Sequence, residues 1–170
     1  MSATILVVDS TVTSRIVMKV KLLAARYEVT LAGALAEARA AIDCARPDLV
    51  LIDLAHGRSG ALAFIQDLRA DPALAGLPIV ALGTFGGPDE RLAALAAGAN
   101  DVLSKPIHET MLLARIRSLL RMRDDAAELG LREDTGRALG LAEAAEQFQG
   151  PAQIALVIPN SPVGQLRARA

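Results

Sequence analysis

The sequence predicts an α/β protein built on a doubly wound, five-stranded parallel sheet. Short apolar runs alternate with segments of helical periodicity through the first 120 residues, which is the pattern of repeated strand–helix–strand units. The strongest runs are apolar at consecutive positions, as expected of strands covered by helices on both faces. The chain has 170 residues and is 52% apolar, so it can bury the core that such a sheet requires.

The predicted elements follow in a regular order. Strands are expected at residues 5–8, 29–31, 49–52, 79–82 and 102–103. Helices are expected at residues 15–25, 34–45, 61–70, 89–97 and 107–122. Thr11, Thr13 and Ser14 offer hydroxyl caps to the first helix, and Gly98 is placed to end the fourth. The apolar stripe from Met111 to Leu120 recurs at helical spacing and predicts both core packing and a dimer face.

The composition changes after residue 121, where the chain becomes charged and alanine-rich. We expect a first domain over residues 1–121 and a helical linker over residues 122–150. The apolar run from Ile154 to Ile158 is a new strand signal, but about twenty residues cannot bury a strand alone. Residues 151–170 are therefore predicted to begin a second, truncated α/β unit.

The composition also excludes several classes of protein. The 18 basic residues are matched by 19 acidic ones, so no excess of positive charge is available to neutralise phosphates. Aromatic residues make up 2%, so few side chains can stack on bases. No apolar run approaches the roughly 20 residues of a membrane span, and no basic segment precedes the first apolar run. We expect a soluble, cytoplasmic protein that binds neither nucleic acid nor membrane. Cys44, the single cysteine, cannot form an intramolecular disulfide and is expected to be a buried helix thiol.

Polar residues follow the predicted strands at the edge of the sheet where function is expected. A doubly wound sheet places its functional side chains beyond the carboxyl ends of the strands. Here those positions hold Asp9, Asp53, Gly83, Thr84 and Lys105. Fold-level reasoning therefore predicts one cleft that contains two carboxylates and one ammonium group.

Three of these strand ends resemble the signatures of a known family. The segments Ile-Leu-Val-Val-Asp9, Leu-Ile-Asp53 and Leu-Ser-Lys105-Pro106 are similar to those of response-regulator receiver domains of bacterial two-component systems, over roughly residues 3–120. The run from Asp89 to Leu119 most resembles the first receiver of PleD-type tandem-receiver diguanylate cyclases. The resemblance implies a CheY-like sheet with strand order 2-1-3-4-5 and the regulation of a fused or partner output, such as a cyclase.

The resemblance also implies roles for the residues of the cleft. Asp53 would be the phosphoacceptor, and Lys105 would pair with a phosphoryl oxygen, with the Lys105–Pro106 bond cis. Asp9, Asp53 and the backbone carbonyl of Ala55 would bind Mg²⁺. The implied partners are a sensor histidine kinase or phosphotransfer protein, an output domain or downstream protein, and a second copy in a homodimer through the last two helices. No enzymatic activity beyond self-phosphorylation from a phosphodonor is expected.

Several residues depart from the family pattern. Ser10 stands where a second acid usually contacts the metal, so Mg²⁺ should bind weakly. Gly83 stands at the position of the switch hydroxyl, with Thr84 one residue late, and Val102 replaces the usual aromatic residue. A phosphate-linked switch needs contacts that differ between two states, and these positions supply few of them.

These departures leave alternatives open. Asp9 could form a permanent ion pair with Lys105, and the domain could be a pseudo-receiver that serves dimerisation or docking without phosphate. A third hypothesis is a small-molecule-binding α/β domain, which would need an apolar pocket beside Asp53. Arg58, Arg91 and His108 are interpreted as surface residues, and His56 as a solvated loop histidine. The segment from Gly86 to Glu90 only superficially resembles a cyclase signature, because a proline interrupts it and it precedes a helix.

Overall fold

The computed structural model describes residues 2–55 and 57–138, with side chains described through residue 128. The strands are β1 (Thr4–Val8), β2 (Glu28–Ala32), β3 (Leu49–Asp53), β4 (Ile79–Gly83) and β5 (Asp101–Ser104). The helices are α1 (Val12–Ala24), α2 (Leu35–Cys44), α3 (Arg58–Ala70), α4 (Pro88–Ala96) and α5 (Glu109–Ala138). These elements alternate along the chain as the sequence predicts.

The five strands form one parallel sheet in the order β2-β1-β3-β4-β5. Side chains of α1 and α5 pack with one face of the sheet, and side chains of α2, α3 and α4 pack with the other. The predicted doubly wound fold and its strand order are therefore confirmed. All five strands share one direction, so their carboxyl ends meet at one edge.

The central strand β3 shows why these residues form a sheet buried on both sides. Successive side chains of a strand point to opposite faces. Val50 and Ile52 accordingly join the cluster under α2, α3 and α4, whereas Leu49 and Leu51 join the cluster under α1 and α5. Every residue of β3 is buried, including the terminal Asp53. The carboxylate of Asp53 is therefore a buried group at the carboxyl end of the central strand.

Three local predictions were wrong. Cys44 is exposed rather than buried, because α2 buries Ala38 and Ile42, and a position two residues later lies about 200° around the helix. Thr11 occupies the N-cap of α1 without a side-chain cap bond. The helix starts at Val12, ahead of the predicted start, and the hydroxyl of Ser14 is used elsewhere.

The last helix extends well past residue 122. It runs without interruption to Ala138 and so covers the first half of the predicted linker. Arg123 binds Asp48 just before β3, with 2.5 Å between Nη1 and Oδ1. The predictions for residues 139–170, including the strand at 154–158, lie outside the described residues. Within the described part of the chain, no helix combines the length and apolar character that a membrane span needs.

Candidate functional site

Three strand ends bring Asp9, Asp53 and Lys105 together. Asp9 directly follows β1, Asp53 ends β3, and Lys105 directly follows β5. The Lys105 Nζ lies 2.5 Å from Oδ2 of Asp53 and 3.7 Å from Oδ2 of Asp9. The two carboxylate side chains are only 2% and 6% exposed, whereas the lysine side chain is 31% exposed. The cleft therefore holds two buried acids whose shared counter-charge comes from a lysine at its rim.

Asp9 is held by donors from the start of α1. Its Oδ1 accepts a hydrogen bond of 2.7 Å from the Thr11 N–H, and its Oδ2 accepts one of 2.5 Å from the Ser14 hydroxyl. Burial raises the pKa of Asp9, but the hydrogen bonds from Ser14 and Thr11 and the charge of Lys105 outweigh it, so the pKa lies below its usual value. Asp9 is therefore ionised at neutral pH and oriented toward the cleft.

Asp53 is held by its own loop and by the lysine. Its Oδ1 accepts a hydrogen bond of 3.0 Å from the Ala55 N–H, while Oδ2 faces the Lys105 ammonium. The Lys105–Pro106 peptide bond is cis, as the resemblance implies. The backbone N–H of Lys105 also donates to the Gly83 carbonyl at 2.8 Å. The Asp53 carboxylate and Lys105 are thus each held by neighbouring backbone.

The remaining predicted positions lie on β4 and β5 or directly after β4. Gly83 ends β4, and a Cβ placed on it would lie 3.3 Å from the Phe85 ring. Thr84 is exposed, and its carbonyl accepts a hydrogen bond of 3.1 Å from Arg58. Val102 is buried in the core cluster under α2, α3 and α4. Phe85 therefore covers Gly83, at the position where the family usually presents its switch side chain.

Sequence reasoning missed two residues of this region. Ser14 was interpreted as a helix cap, but it binds the Asp9 carboxylate instead. Arg58 was interpreted as a surface charge, but it contacts Thr84, Phe85 and Glu90. Ser14 lies five residues after Asp9, in the first turn of α1, and this spacing is a signal that could have identified the first contact. His108 is exposed as expected, Arg91 lies near Ser104 and Val102, and His56 lies outside the described residues.

The donors of the cleft suit a small, hard cation. Asp9 and Asp53 supply carboxylate oxygens, each with a second lone pair beside its hydrogen bond, and Ala55 supplies a backbone carbonyl. Ser10 is exposed and offers only a neutral hydroxyl where a third acid would add a full charge. Among residues 2–55 and 57–138, no group of three or more acidic, histidine or cysteine side chains forms a metal cage. A Mg²⁺ ion in this cleft would therefore have two carboxylates and one backbone carbonyl to bind.

The apolar cavity nearest the cleft lies beside Lys105, between α1 and α5. Its volume is about 280 Å³. The lining includes Val17, Met18, Ile107 and Leu112. Pockets for small ligands usually measure about 300–1,000 Å³. The volume of this cavity lies just below that range, which does not favour the small-molecule hypothesis.

Comparisons with known proteins agree with this geometry. Residues 5–117 match the family model of the response regulator receiver domain. The chain is 37% identical over 164 residues to the response regulator PleD of Caulobacter vibrioides, and the match covers 95% of this chain but 36% of PleD. The chain thus spans only about a third of that relative.

Solved structures show the same fold. The chemotaxis protein CheY4 of Vibrio cholerae is 28% identical with a TM-score of 0.65, and the match covers 70% of this chain and 99% of CheY4. NtrX of Brucella abortus is 28% identical with a TM-score of 0.71, and the match covers 80% of this chain and 30% of NtrX. With its strand order, its cleft and this family match, the chain belongs to the receiver domain family of two-component response regulators.

Proposed function

We propose that this receiver domain accepts a phosphoryl group on Asp53 and thereby regulates an output outside the described residues. The observation that carries the proposal is the 2.5 Å contact between the Lys105 ammonium and the buried Asp53 carboxylate, with Asp9 beside them. A carboxylate at a strand end, next to a fixed cation, is placed to act as a nucleophile toward phosphorus.

The chemistry requires one displacement at phosphorus. An oxygen of Asp53 forms a P–O bond while the bond from phosphorus to the donor breaks, either a P–N bond of a phosphohistidine or a P–O bond of an acyl phosphate. The electron pair of that bond leaves with the donor, and a departing imidazole takes a proton from solvent. Lys105 pairs with an oxygen of the new acyl phosphate, because a charge-assisted hydrogen bond is stronger than a neutral one.

Mg²⁺, when bound, offsets the charge on the acceptor and on the phosphoryl oxygens. Asp9, Asp53 and the carbonyl of Ala55 are the residues that would hold it. With Ser10 in place of an acid, two carboxylates face one lysine. We therefore expect weak metal binding, in competition with the Lys105 ammonium for the same oxygens.

The second candidate function is that of a pseudo-receiver that docks partners without phosphate. It is favoured by the engagement of both carboxylates by Lys105 and by Gly83 at the switch position. Both candidates use the same cleft, and they differ in whether Asp53 ever forms the acyl phosphate.

The proposed partners follow from exposed apolar surfaces. α1 begins beside Asp9 and exposes Val12, Ile16 and Val20, spaced four residues apart on one helix face. This face suits a histidine kinase or phosphotransfer protein that must bring its phosphoryl group to Asp53. α4 exposes Leu92 and Leu95 and belongs with α5 to the surface proposed for a homodimer. The output is proposed to be a fused or partner domain in the cytoplasm, such as a diguanylate cyclase.

A phosphorylation assay tests the proposal. The chain is incubated with Mg²⁺ and acetyl phosphate, and its intact mass is measured. We expect one phosphoryl increment in the native chain and in Asp67→Asn, an exposed acid on α3, and none in Asp53→Asn. An unmodified native chain, or an increment that survives Asp53→Asn, would overturn the proposal and favour the pseudo-receiver.

A further inference from the structure

Arg58, the first residue of α3, links the acceptor loop to the segment that follows β4. Its Nη1 lies 2.6 Å from Oε1 of Glu90, and its Nη2 donates a hydrogen bond of 3.1 Å to the Thr84 carbonyl. The guanidinium carbon lies 5.9 Å from the centroid of the Phe85 ring. We call these four residues, Arg58, Thr84, Phe85 and Glu90, the Arg58 clasp.

The clasp shares backbone with the phosphorylation cleft. Its Phe85 ring covers Gly83, whose carbonyl accepts the backbone N–H of Lys105 at 2.8 Å. The backbone N–H of Leu54, the residue after Asp53, donates to the Leu82 carbonyl on β4 at 2.8 Å. A displacement of the loop after β4 would therefore act on the end of β4, whose carbonyls bind the backbone next to Asp53 and the backbone of Lys105.

The other side of the clasp controls the start of α4. Oε2 of Glu90 accepts a hydrogen bond of 2.7 Å from the Gly86 N–H, so this one carboxylate joins Arg58 to the loop that leads into the helix. The N-cap residue Gly87 provides no side-chain cap. Glu90, in the third position of α4, thus makes the contact that fixes this loop to the first turn.

The clasp is weak enough to respond to a new charge. Both side chains of the Arg58–Glu90 pair are about one-third exposed, at 35% and 36%, and ion pairs of this kind contribute little net stability. A phosphoryl group on Asp53 adds negative charge and acceptor oxygens at the end of β3. A guanidinium group matches phosphate oxygens with two parallel hydrogen bonds, whereas its partner here is a partly exposed carboxylate.

We propose that phosphorylation of Asp53 draws Arg58 away from Glu90 and Thr84, so that the Arg58 clasp opens and the start of α4 is released. This inference rests on the proposed function, since it needs the acyl phosphate to form. Gly83 has no hydroxyl to couple the phosphoryl group to the start of α4. The proposal assigns this coupling to Arg58. The two states differ in the partner of one guanidinium group, which is the differential contact that a switch requires.

Hydrogen–deuterium exchange of the native chain, before and after treatment with acetyl phosphate and Mg²⁺, tests the proposal. We expect phosphorylation to speed exchange in the segment from Gly86 to Leu92 by at least about fivefold, the lower range of ordinary coupling. In Arg58→Gln and Glu90→Gln, exchange in this segment should already be fast before phosphorylation and should change less than about twofold after it. Arg39→Gln, which removes an exposed arginine paired with Asp43 on α2, should behave as the native chain does.

The mass of each sample separates this inference from the proposed function. A native chain that gains no phosphoryl group overturns both. A native chain that gains one, with unchanged exchange in the segment, overturns the clasp alone, and so does a full-sized response that persists in Arg58→Gln. If Arg58→Gln is not phosphorylated, Glu90→Gln decides the outcome, because it keeps the arginine and removes the negative charge that binds it.

Discussion

Ser14 donates a hydrogen bond of 2.5 Å to Oδ2 of Asp9, the same oxygen that faces the Lys105 ammonium at 3.7 Å. The Thr11 N–H binds the other oxygen. The Asp9 carboxylate thus has a hydrogen-bond donor at each oxygen, and these donors offset its burial. A cation that enters the cleft has to share these oxygens, so the start of α1 takes part in setting the metal affinity of the site.

Ser14→Ala removes one of these donors. We expect the variant to lose about 1–2 kcal/mol of unfolding free energy without Mg²⁺, because a buried carboxylate then loses a charge-assisted hydrogen bond. Denaturant unfolding in a chelator measures the loss. Thr13→Ala, at the exposed neighbouring position, should change the free energy by less than about 0.5 kcal/mol. Equal effects of the two substitutions would show that the Ser14 contact contributes nothing specific.

Ser10→Asp restores the acid that the family pattern places beside Asp9. We expect Mg²⁺ to bind at least about tenfold more tightly, because a further unit charge near the cation contributes more than the 1.4 kcal/mol that this factor requires. Calorimetric titration with MgCl₂ measures the affinity. Thr30→Asp, which adds the same charge on the exposed side of β2, serves as the control. An affinity that rises equally in both variants would point to net charge rather than to the site.

Lys105→Gln tests whether the lysine takes the place of the cation. Two buried carboxylates lose their shared counter-charge, so we expect a loss of about 1–3 kcal/mol without Mg²⁺, below the value for a fully buried pair because the lysine is partly exposed. Mg²⁺ should then raise the Tm of the variant more than that of the native chain, since binding stabilises the folded state. Lys19→Gln, at an exposed position of α1, should show neither effect. Identical Mg²⁺ responses in the two chains would exclude competition between lysine and metal.

The positions of Asp9, Asp53 and Lys105 could be predicted because short sequence patterns specify the strands that they follow or end. The apolar runs stop at Asp9, Asp53 and Lys105, and parallel strands bring such positions to one edge. The core face of α5 followed from its periodicity in the same way, since Leu112, Ile116 and Leu120 are buried. Cys44 was misplaced because an alanine-rich helix has little hydrophobic contrast between its faces, so the buried stripe through Ala38 and Ile42 is hard to recognise.

The contacts across loops were not predictable. Arg58 and Glu90 are far apart in the chain, and nothing local distinguishes them from other surface charges. Phe85 covers Gly83 only because the loop after β4 turns back over the end of the strand. Such contacts depend on loop conformation, which neither the strand nor the helix period encodes. The contacts that carry the proposed coupling therefore depend on the three-dimensional structure and not on a local sequence pattern.

Ala93→Glu tests the surface proposed for self-association. Ala93 is exposed on α4, between Leu92 and Leu95, so a carboxylate there would place a charge within an apolar contact. We expect the sedimentation coefficient to fall toward the monomer value at concentrations where the native chain associates. Ala40→Glu, exposed on α2, should sediment as the native chain does. Unchanged sedimentation of the α4 variant would remove this face from the proposed dimer.

Asp48 gives the stability of the domain a dependence on pH. Burial raises its pKa, but the hydrogen bond from the Thr4 N–H and the hydrogen bond and charge of Arg123 outweigh it, so the folded-state pKa of Asp48 lies below its usual value. A carboxyl group with a depressed pKa contributes stability above its unfolded pKa and loses it as the pH falls through the folded pKa. Asp48→Asn should therefore cost about 1 kcal/mol at pH 6, and this difference should shrink steadily below about pH 4.

Denaturant unfolding of the native chain and of Asp48→Asn, repeated from pH 6 down to the acid transition, measures this difference. Asp43→Asn is the control, because its pair with Arg39 is exposed and should contribute less than about 0.5 kcal/mol at any pH. Arg123 lies on α5 beyond Leu120, the last buried residue among the side chains described for this helix, so the same contact joins this part of α5 to the residue before β3. A difference between the native chain and Asp48→Asn that stays constant with pH would mean that the carboxylate charge of Asp48 is not what binds α5 to β3.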